Sequence, residues 1–367
     1  INWRAQDPFN GMTPSFGAST YTGGSAAATA RQELGDIDGW SISDGGIEPS
    51  AFISVWATTG TFETITIPCQ NVGTFNAVID WGDGTPTSTI TAYNDADLAH
   101  EYSDIGEHTI SITGTFPNIY LNNGTEKLKI KRVTNLGTVG WTRLNSAFFG
   151  CANLTEFTAG STDTSGVNNM QLMFRECSGL TSLDLSSFVT TSVTNMFMVF
   201  NRCFGLTSLN VSGWDTSSVA TMNYMMELCN VLTSMVGVED WAITGLNATN
   251  ALTGFLTGGK MTTPQYDNLL IKWEAQSEFP GMSPSFGAST YTGGGTAAAA
   301  RAAMLSPGRY SGISDGGIEP SAFESVWATT AINETITIPT QNVGTFNAVV
   351  DWGDSSPPET IATYNGF

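Results

Sequence analysis

The sequence predicts an α+β solenoid with coils of about 26 residues, alternating along the chain with all-β sandwich modules. Three observations predict it. First, Cys151, Cys177, Cys203 and Cys229 recur at one constant spacing, each followed three positions later by Leu154, Leu180, Leu206 or Leu232 and preceded three earlier by Phe148, Phe174, Phe200 or Met226. A coil this short cannot bury its own apolar face, so neighbouring coils must stack and share one core. Second, residues 51–118 break into short alternating strands (ETITIP, FNAVIDWGDGTPT, HTISITGTF) separated by Gly, Pro and Asp turns, the pattern of a β-sandwich. Third, a longer period encloses the first. Trp3, Pro14, Phe16, Gly17, Tyr21 and Arg31 return in the same order and spacing as Trp273, Pro284, Phe286, Gly287, Tyr291 and Arg301. After one inserted position, Ile42, Phe52, Trp56, Ile65, Pro68 and Trp81 return as Ile313, Phe323, Trp327, Ile336, Pro339 and Trp352. The chain reads as a window cut from a longer array.

Taken in order, residues 1–50 are expected to be the closing cap of a preceding solenoid whose coils lie outside the chain, so this cap is expected to be poorly ordered or packed on a neighbouring copy. Residues 51–118 form the sandwich. Residues 119–260 form the solenoid, in which a stretch such as VTNMFMVFNRC has the apolar spacing of a helix, LTSLNVS alternates as a strand, and a Thr/Ser-rich turn closes the coil. Lys127, Lys129, Lys131 and Arg132 alternate on a strand predicted at the open edge of the stack, where charge discourages sheet-to-sheet aggregation. Residues 261–321 are the solenoid's cap, with Tyr266, Leu269, Leu270 and Trp273 at helical spacing to cover the last coil. Residues 322–367 begin a second, incomplete sandwich.

Composition narrows the partners. Thirteen basic against 33 acidic residues give a net charge of −20, which repels phosphate backbones and anionic lipid surfaces alike. Nucleic acid is excluded as a partner, and no apolar run approaches the roughly 18 residues of a membrane-spanning helix. An acidic, Lys-poor, Thr/Ser/Gly/Asn-rich composition suits a secreted protein in salt water, where screening weakens self-repulsion.

The candidate binding surface follows from strand alternation. With the leucines turned inward, Glu156, Ser182, Asp184, Ser186, Ser208, Asn210, Ser212 and Ser234 face outward along one sheet. They read either as a hydrogen-bonding strip for a glycan or peptide, or as a solvated sheet of short side chains. The lack of aromatic platforms favours the second. Thr164, Thr190 and Thr216 are expected to form a ladder on another face, where an ice-binding role is limited by the small number of coils. The four periodic cysteines should stack at roughly 4.7–4.9 Å with parallel Cβ vectors, a poor disulfide geometry, so they read as small buried thiols alongside Phe174, Phe200 and the leucines. Cys69 has Thr340 as its repeat partner. Asp80 and Asp83 offer hard oxygen ligands to calcium, against the simpler reading that they hydrogen-bond their own turn; no other cofactor is expected. His100 and His108 are the only histidines, and no nucleophile, metal-site or phosphate-loop motif accompanies them.

Two resemblances sharpen this reading. Coils of the form MxxMFxxCxxLTSLDLSxFxTSxV, carried by Met170, Met173, Phe174, Cys177, Leu180, Leu183, Leu185, Phe188 and Val193, and again by Met196, Phe200, Cys203, Leu206, Leu209, Val211, Trp214 and Val219, resemble the BspA-like leucine-rich repeats of bacterial surface proteins. DWGDGT at Trp81, Gly82, Asp83 and Gly84, followed by His100, Tyr102 and Gly106, resembles the polycystic kidney disease (PKD) domain, an immunoglobulin-like spacer; Ser355 and Ser356 replace Gly84 and Thr85 in the second copy. The resemblances imply a non-enzymatic, extracellular, cell-surface or secreted fibre or adhesin. Its partners would be neighbouring repeats, identical chains in a filament, and a glycan or cell-surface protein ligand. Two alternatives stay open: a phage or secretion-system host-recognition fibre, and an accessory repeat region of a large secreted enzyme.

Overall fold

A computed structural model describes residues 20–21, 46–47, 50–276, 281–319, 348–350 and 359–361. The chain divides into two units, Ile1–Glu319 and Pro320–Phe367. In the second, strands Ala348–Val350 and Glu359–Ile361 pair antiparallel. In the first, β1 (Thr20–Tyr21) and β2 (Gly46–Ile47) pair in parallel. The remainder of the expected N-terminal cap and of the second sandwich lies outside the described residues.

Six strands follow: β3 (Phe52–Thr58), β4 (Glu63–Thr66), β5 (Asn76–Asp80), β6 (Ser88–Ile90), β7 (Ala99–Tyr102) and β8 (Gly106–Thr115). Period-two alternation makes them strands with one buried face, as in β5, where Ala77 and Ile79 are buried between exposed Asn76, Val78 and Asp80. β4 and β7 form a separate two-stranded sheet. The two sheets share a core: Tyr102 on β7 donates its hydroxyl to Trp81 O at 2.7 Å and stacks on His108 of β8 at 3.7 Å between ring centroids.

The larger sheet has the order β10-β9-β3-β8-β5-β6, where β9 (Ile130–Asn135) and β10 (Glu156–Phe157) belong to the coils. β9 pairs antiparallel with β3 on one side and parallel with β10 on the other. The basic segment is therefore interior to the sheet, which corrects the expectation of an edge strand. Ile130 and Val133 are fully buried, and that burial outweighs the charge of their neighbours. The charges protect a different edge. Lys129 Nζ donates to Thr64 O at 2.6 Å, and Glu126 accepts from Thr66 N at 3.4 Å, so they occupy backbone groups of β4 that its only ladder partner among the described residues, β7, leaves free.

The coils stack in register. β11 (Ser182–Asp184), β12 (Ser208–Asn210) and β13 (Ser234–Val236) pair in parallel, Leu183 opposite Leu209 and Leu209 opposite Met235. Behind them, the segments expected to be helical are instead runs of β-turns. Met173 N bonds Met170 O and Cys177 N bonds Phe174 O, closing turns whose third residues, Leu172 and Glu176, sit at φ of 61° and 62°, as a type II turn requires. The intervening amides reach the next coil: Leu172 N to Phe197 O, Phe174 N to Val199 O, Glu176 N to Asn201 O. A turn repeating every four residues buries Met170, Met173, Phe174 and Cys177, which is the same i, i+3, i+4, i+7 spacing that marks a helix. The pattern of burial was legible, and the backbone that produces it was not. Seven non-glycine residues (Ser146, Leu172, Glu176, Met198, Arg202, Tyr224, Leu228) hold this left-handed geometry, a strain of about 1–3 kcal/mol each that the inter-coil bonds offset.

The shared core is aromatic as well as aliphatic. Phe148, Phe174 and Phe200 stack at 5.6 and 6.0 Å, and Phe188, Trp214 and Trp241 at 6.4 and 5.8 Å. The stack also continues beyond residue 260. Leu256 N bonds Ser285 O, Phe286 N bonds Ser314 O, and β14 (Thr290–Tyr291) pairs in parallel with β15 (Gly317–Ile318). The segment expected to be a cap thus adds further rungs, with α1 (Thr263–Glu274) and α2 (Thr296–Met304) laid against them. Gln265 reaches back to Thr262 N at the start of α1, and Tyr266, Leu269, Leu270 and Trp273 are all buried. Among the described residues no helix is long and apolar enough to cross a membrane.

The ladder makes a direct prediction. Phe200→Ala should cost about 3–5 kcal/mol by leaving a hole between two stacked rings. Phe204→Ala, at a side chain 48% exposed, should stay within about 0.5 kcal/mol of the parent. Urea denaturation of the two variants checks both.

Candidate functional site

The outward sheet strip is built from β10 to β13. Ser182, Ser208 and Ser234 pair in one row and Asp184 and Asn210 in the next, with Glu156 opposite Arg132 at the β9 end. Glu156, Ser182, Asp184, Ser186 and Ser234 are exposed, whereas Ser208, Asn210 and Ser212 are half-buried. A further exposed row went unnoticed in the sequence: Thr155, Thr181, Thr207 and Thr233 each precede a strand, and Thr207 Oγ1 donates to Thr181 O at 2.8 Å. Its signal was present as the Leu-Thr pair that recurs once per coil.

Four of the strip's residues bond one another in two pairs. Asp184 Oδ1 accepts from Ser186 N at 3.0 Å and Ser186 Oγ at 2.6 Å, and Asn210 Oδ1 accepts the same pair from Ser212 at 3.1 and 2.8 Å. Partial burial pushes the Asp184 carboxyl up, but hydrogen bonds from Ser186 and Asn210 outweigh it and leave the group below its ordinary value. Asp184, Ser186, Asn210 and Ser212 are thus bonded in pairs within the strip. The Thr row ends at an open cleft of about 440 Å³ between Thr233, Lys260, the first residues of α1 and Glu319.

The threonine ladder expected on another face exists but points inward. Thr164, Thr190 and Thr216 are buried, and their hydroxyls donate to Val189 O, Asp215 O and Ala242 O on the following coil at 3.1, 2.8 and 2.7 Å. Burial removes them from any ice surface and makes them inter-coil ties. The periodic cysteines are ties too. Cys177, Cys203 and Cys229 donate their thiols to Phe148 O, Phe174 O and Phe200 O one coil back, at 3.0, 3.0 and 2.9 Å. All five cysteines are free. Burial pushes the thiols of Cys151, Cys177 and Cys203 far above their usual range and that of Cys69 up to about 12, so all four stay protonated and unreactive near neutrality.

In the β-module the acidic turn closes on itself. Asp80 Oδ1 accepts from Gly82 N at 3.0 Å; Asp83 Oδ1 accepts from Thr85 N at 3.0 Å and Thr85 Oγ1 at 2.5 Å; Asp83 Oδ2 meets His100 Nε2 at 2.7 Å. His100 in turn stacks on Trp81 at 4.9 Å. Gly82 is required here: it sits at φ 78°, and a Cβ would lie 2.1 Å from Thr109 O. Partial burial raises the Asp83 carboxyl, but the Thr85 and His100 bonds prevail and hold it down at about 2. Both Asp83 oxygens are committed, and among the described residues no group of three or more His, Cys, Asp and Glu is placed to hold a metal ion. This geometry is that of a self-bonded turn. His108, hydrogen-bonded to Thr58 Oγ1 at 2.9 Å, is buried under Tyr102.

Residues 118–256 match the family model described as "Mycoplasma protein of unknown function, DUF285", a leucine-rich-repeat-like family. No curated protein and no solved structure matches the chain.

Two measurements test the site chemistry. Asp83 has a folded-state value below its unfolded 3.8, so its stabilisation is present above pH 3.8 and is lost as pH falls towards 2. Asp83→Asn should therefore lower the urea midpoint at pH 7, and the gap to the parent should close between pH 4 and 2; a gap unchanged at pH 2 would assign the effect to turn packing instead. Separately, the native chain at pH 8 should show no fast reaction of Cys151, Cys177 or Cys203 with a thiol reagent, and full reaction only after denaturation.

Proposed function

We propose that residues 50–319 form one rigid building block of a long, non-catalytic, extracellular fibre or adhesin that projects from a cell surface. In this reading the coils are BspA-like leucine-rich repeats and the β-module is an immunoglobulin-like spacer of the PKD type. The observation that carries the proposal is the double role of β9, which is at once a strand of the module's sheet and the first rung of the coil stack. A spacer joined by a flexible linker would leave the angle free. Here Phe52 of β3 packs edge-on against Trp141 of the first coil at 5.5 Å, so module and stack share a core and no hinge separates them.

Duplication supports the same reading. The sequence EPSAF occurs at 48–52 and again at 319–323, so the residues that open the β-module recur in the sequence after the coils. Its partners in this proposal are the neighbouring copies of the same chain and identical chains alongside, whose recurring surfaces permit helical packing. In this reading the hydroxyl strip is a solvated flank of short side chains, in which Asp184 and Asn210 are already taken up by Ser186 and Ser212.

Arrays of one, two and three tandem copies test the reading by small-angle X-ray scattering. The maximum dimension should grow by a constant increment per copy; growth as the cube root of mass would defeat it. On intact producing cells, external protease should release fragments of the chain, and full protection of the chain would remove it from the surface. Binding by this chain on a glycan array would move adhesion onto the strip.

A further inference from the structure

We infer that this unit is built to carry tension, with side-chain clasps at the two points where the chain enters and leaves it. The inference deepens the fibre reading and rests on it for its purpose, though not for its geometry. At the entry, Ser50 and Ala51 lie just ahead of β3 and are tied to the coils rather than to the module. Ser50 N donates to Thr138 Oγ1 at 2.7 Å, Thr138 N to Ser50 O at 3.0 Å, Ser50 Oγ to Ser161 O at 3.1 Å, and Asn135 Nδ2 to Ala51 O at 2.7 Å.

At the exit, Asp315 lies on the final rung, shortly before Pro320. Its side chain is only 3% exposed and receives both Arg301 Nε at 2.7 Å and Arg301 Nη2 at 3.1 Å, the Tyr266 hydroxyl at 2.7 Å, and Gly317 N at 3.1 Å. The guanidinium also lies over the ring of Tyr291 at 5.1 Å, and Tyr291 O accepts from Glu319 N at 2.8 Å, the last backbone bond of this stretch among the described residues. One buried carboxylate thus gathers α1, α2 and the final rung. The same residue types stand in the earlier copy as Tyr21, Arg31 and Asp44.

The reason for placing clasps there is mechanical. Strands run across the stack, so the hydrogen bonds between rungs point along it. A pull between Ser50 and Glu319 loads those bonds one after another from the outermost, and the end bonds alone set the opening force. Ordinary amide bonds in that position would peel in turn. A bidentate, charge-assisted pair resists more, because losing Arg301 would strand the Asp315 carboxylate, which is only 3% exposed.

The test stretches the full chain by handles at its two termini. In the parent, opening of the final rung should add roughly 50 Å of contour, from residues 305–319 at about 3.5 Å each. Asp315→Asn and, separately, Arg301→Lys should shorten the lifetime of that first event at fixed load by at least about tenfold, and Asn135→Ala should do so for an opening at the entry. Val219→Ala, in the middle of the stack, should lower the urea midpoint yet leave the first event unchanged. Circular dichroism establishes that each variant is folded before it is pulled. A first event insensitive to Asp315 and Arg301, or one shortened equally by Val219→Ala, would overturn the clasps while leaving the fibre reading to the scattering test. A compact array that still loses its first-event lifetime in Asp315→Asn would keep the clasps and reject the fibre.

Discussion

Every coil must come back into register with its neighbour, because the backbone of one coil supplies the hydrogen-bond partners of the next. This register constraint governs the rest of the structure. A strand ladder satisfies it on one face, with Ser182, Ser208 and Ser234 aligned. A turn ladder satisfies it on another, where Phe174 N finds Val199 O. Between them the buried hydroxyls of Thr164, Thr190 and Thr216 and the thiols of Cys177, Cys203 and Cys229 reach carbonyls on the adjacent coil. A buried carbonyl without a partner is costly. Threonine and cysteine at fixed positions are a small, compact answer to that cost.

The same constraint explains why strain is accepted. Leu172, Glu176, Met198, Arg202, Tyr224 and Leu228 all sit in a backbone region that disfavours side chains. They do so because only that geometry turns every second amide towards the neighbouring coil while keeping Met and Phe side chains in the core. Glycine takes the equivalent position at Gly150, and again at Gly254 and Gly258, beyond the point where the coils lengthen. Gly254 has a second reason: a Cβ there would lie 2.2 Å from the ring of Tyr224.

At the start of the stack the exposed edge of the first rung is a hazard of any solenoid. Here β9 removes it by pairing with β3, so the β-module serves as the stack's N-terminal cover as well as its neighbour. At the other end the rungs continue under α1 and α2 until the Asp315 cluster. The first rung's edge is thus closed by a strand of the β-module, and the later rungs are covered on one side by two helices of the same chain.

Much of this was legible in the residues. Coil length and core-facing positions followed from spacing alone, since apolar periodicity is a local property that survives in the sequence, and the buried face of α1 was visible in Tyr266, Leu269, Leu270 and Trp273. Three things were not. Helix and type II turn ladder bury the same i, i+3, i+4, i+7 positions, and only hydrogen bonds to the next coil choose between them. The strand carrying Lys131 and Arg132 looks like an edge until β3, from far earlier in the chain, is found beside it. The threonines of the turns look solvent-facing until carbonyls on the following coil claim their hydroxyls. By itself the sequence determined the period and the inward residues, because those depend on neighbours a few positions apart. Which backbone geometry realises them, which edges are closed and which polar groups are buried were decided by the tertiary structure, because each depends on a partner that the chain supplies only after it has come back around.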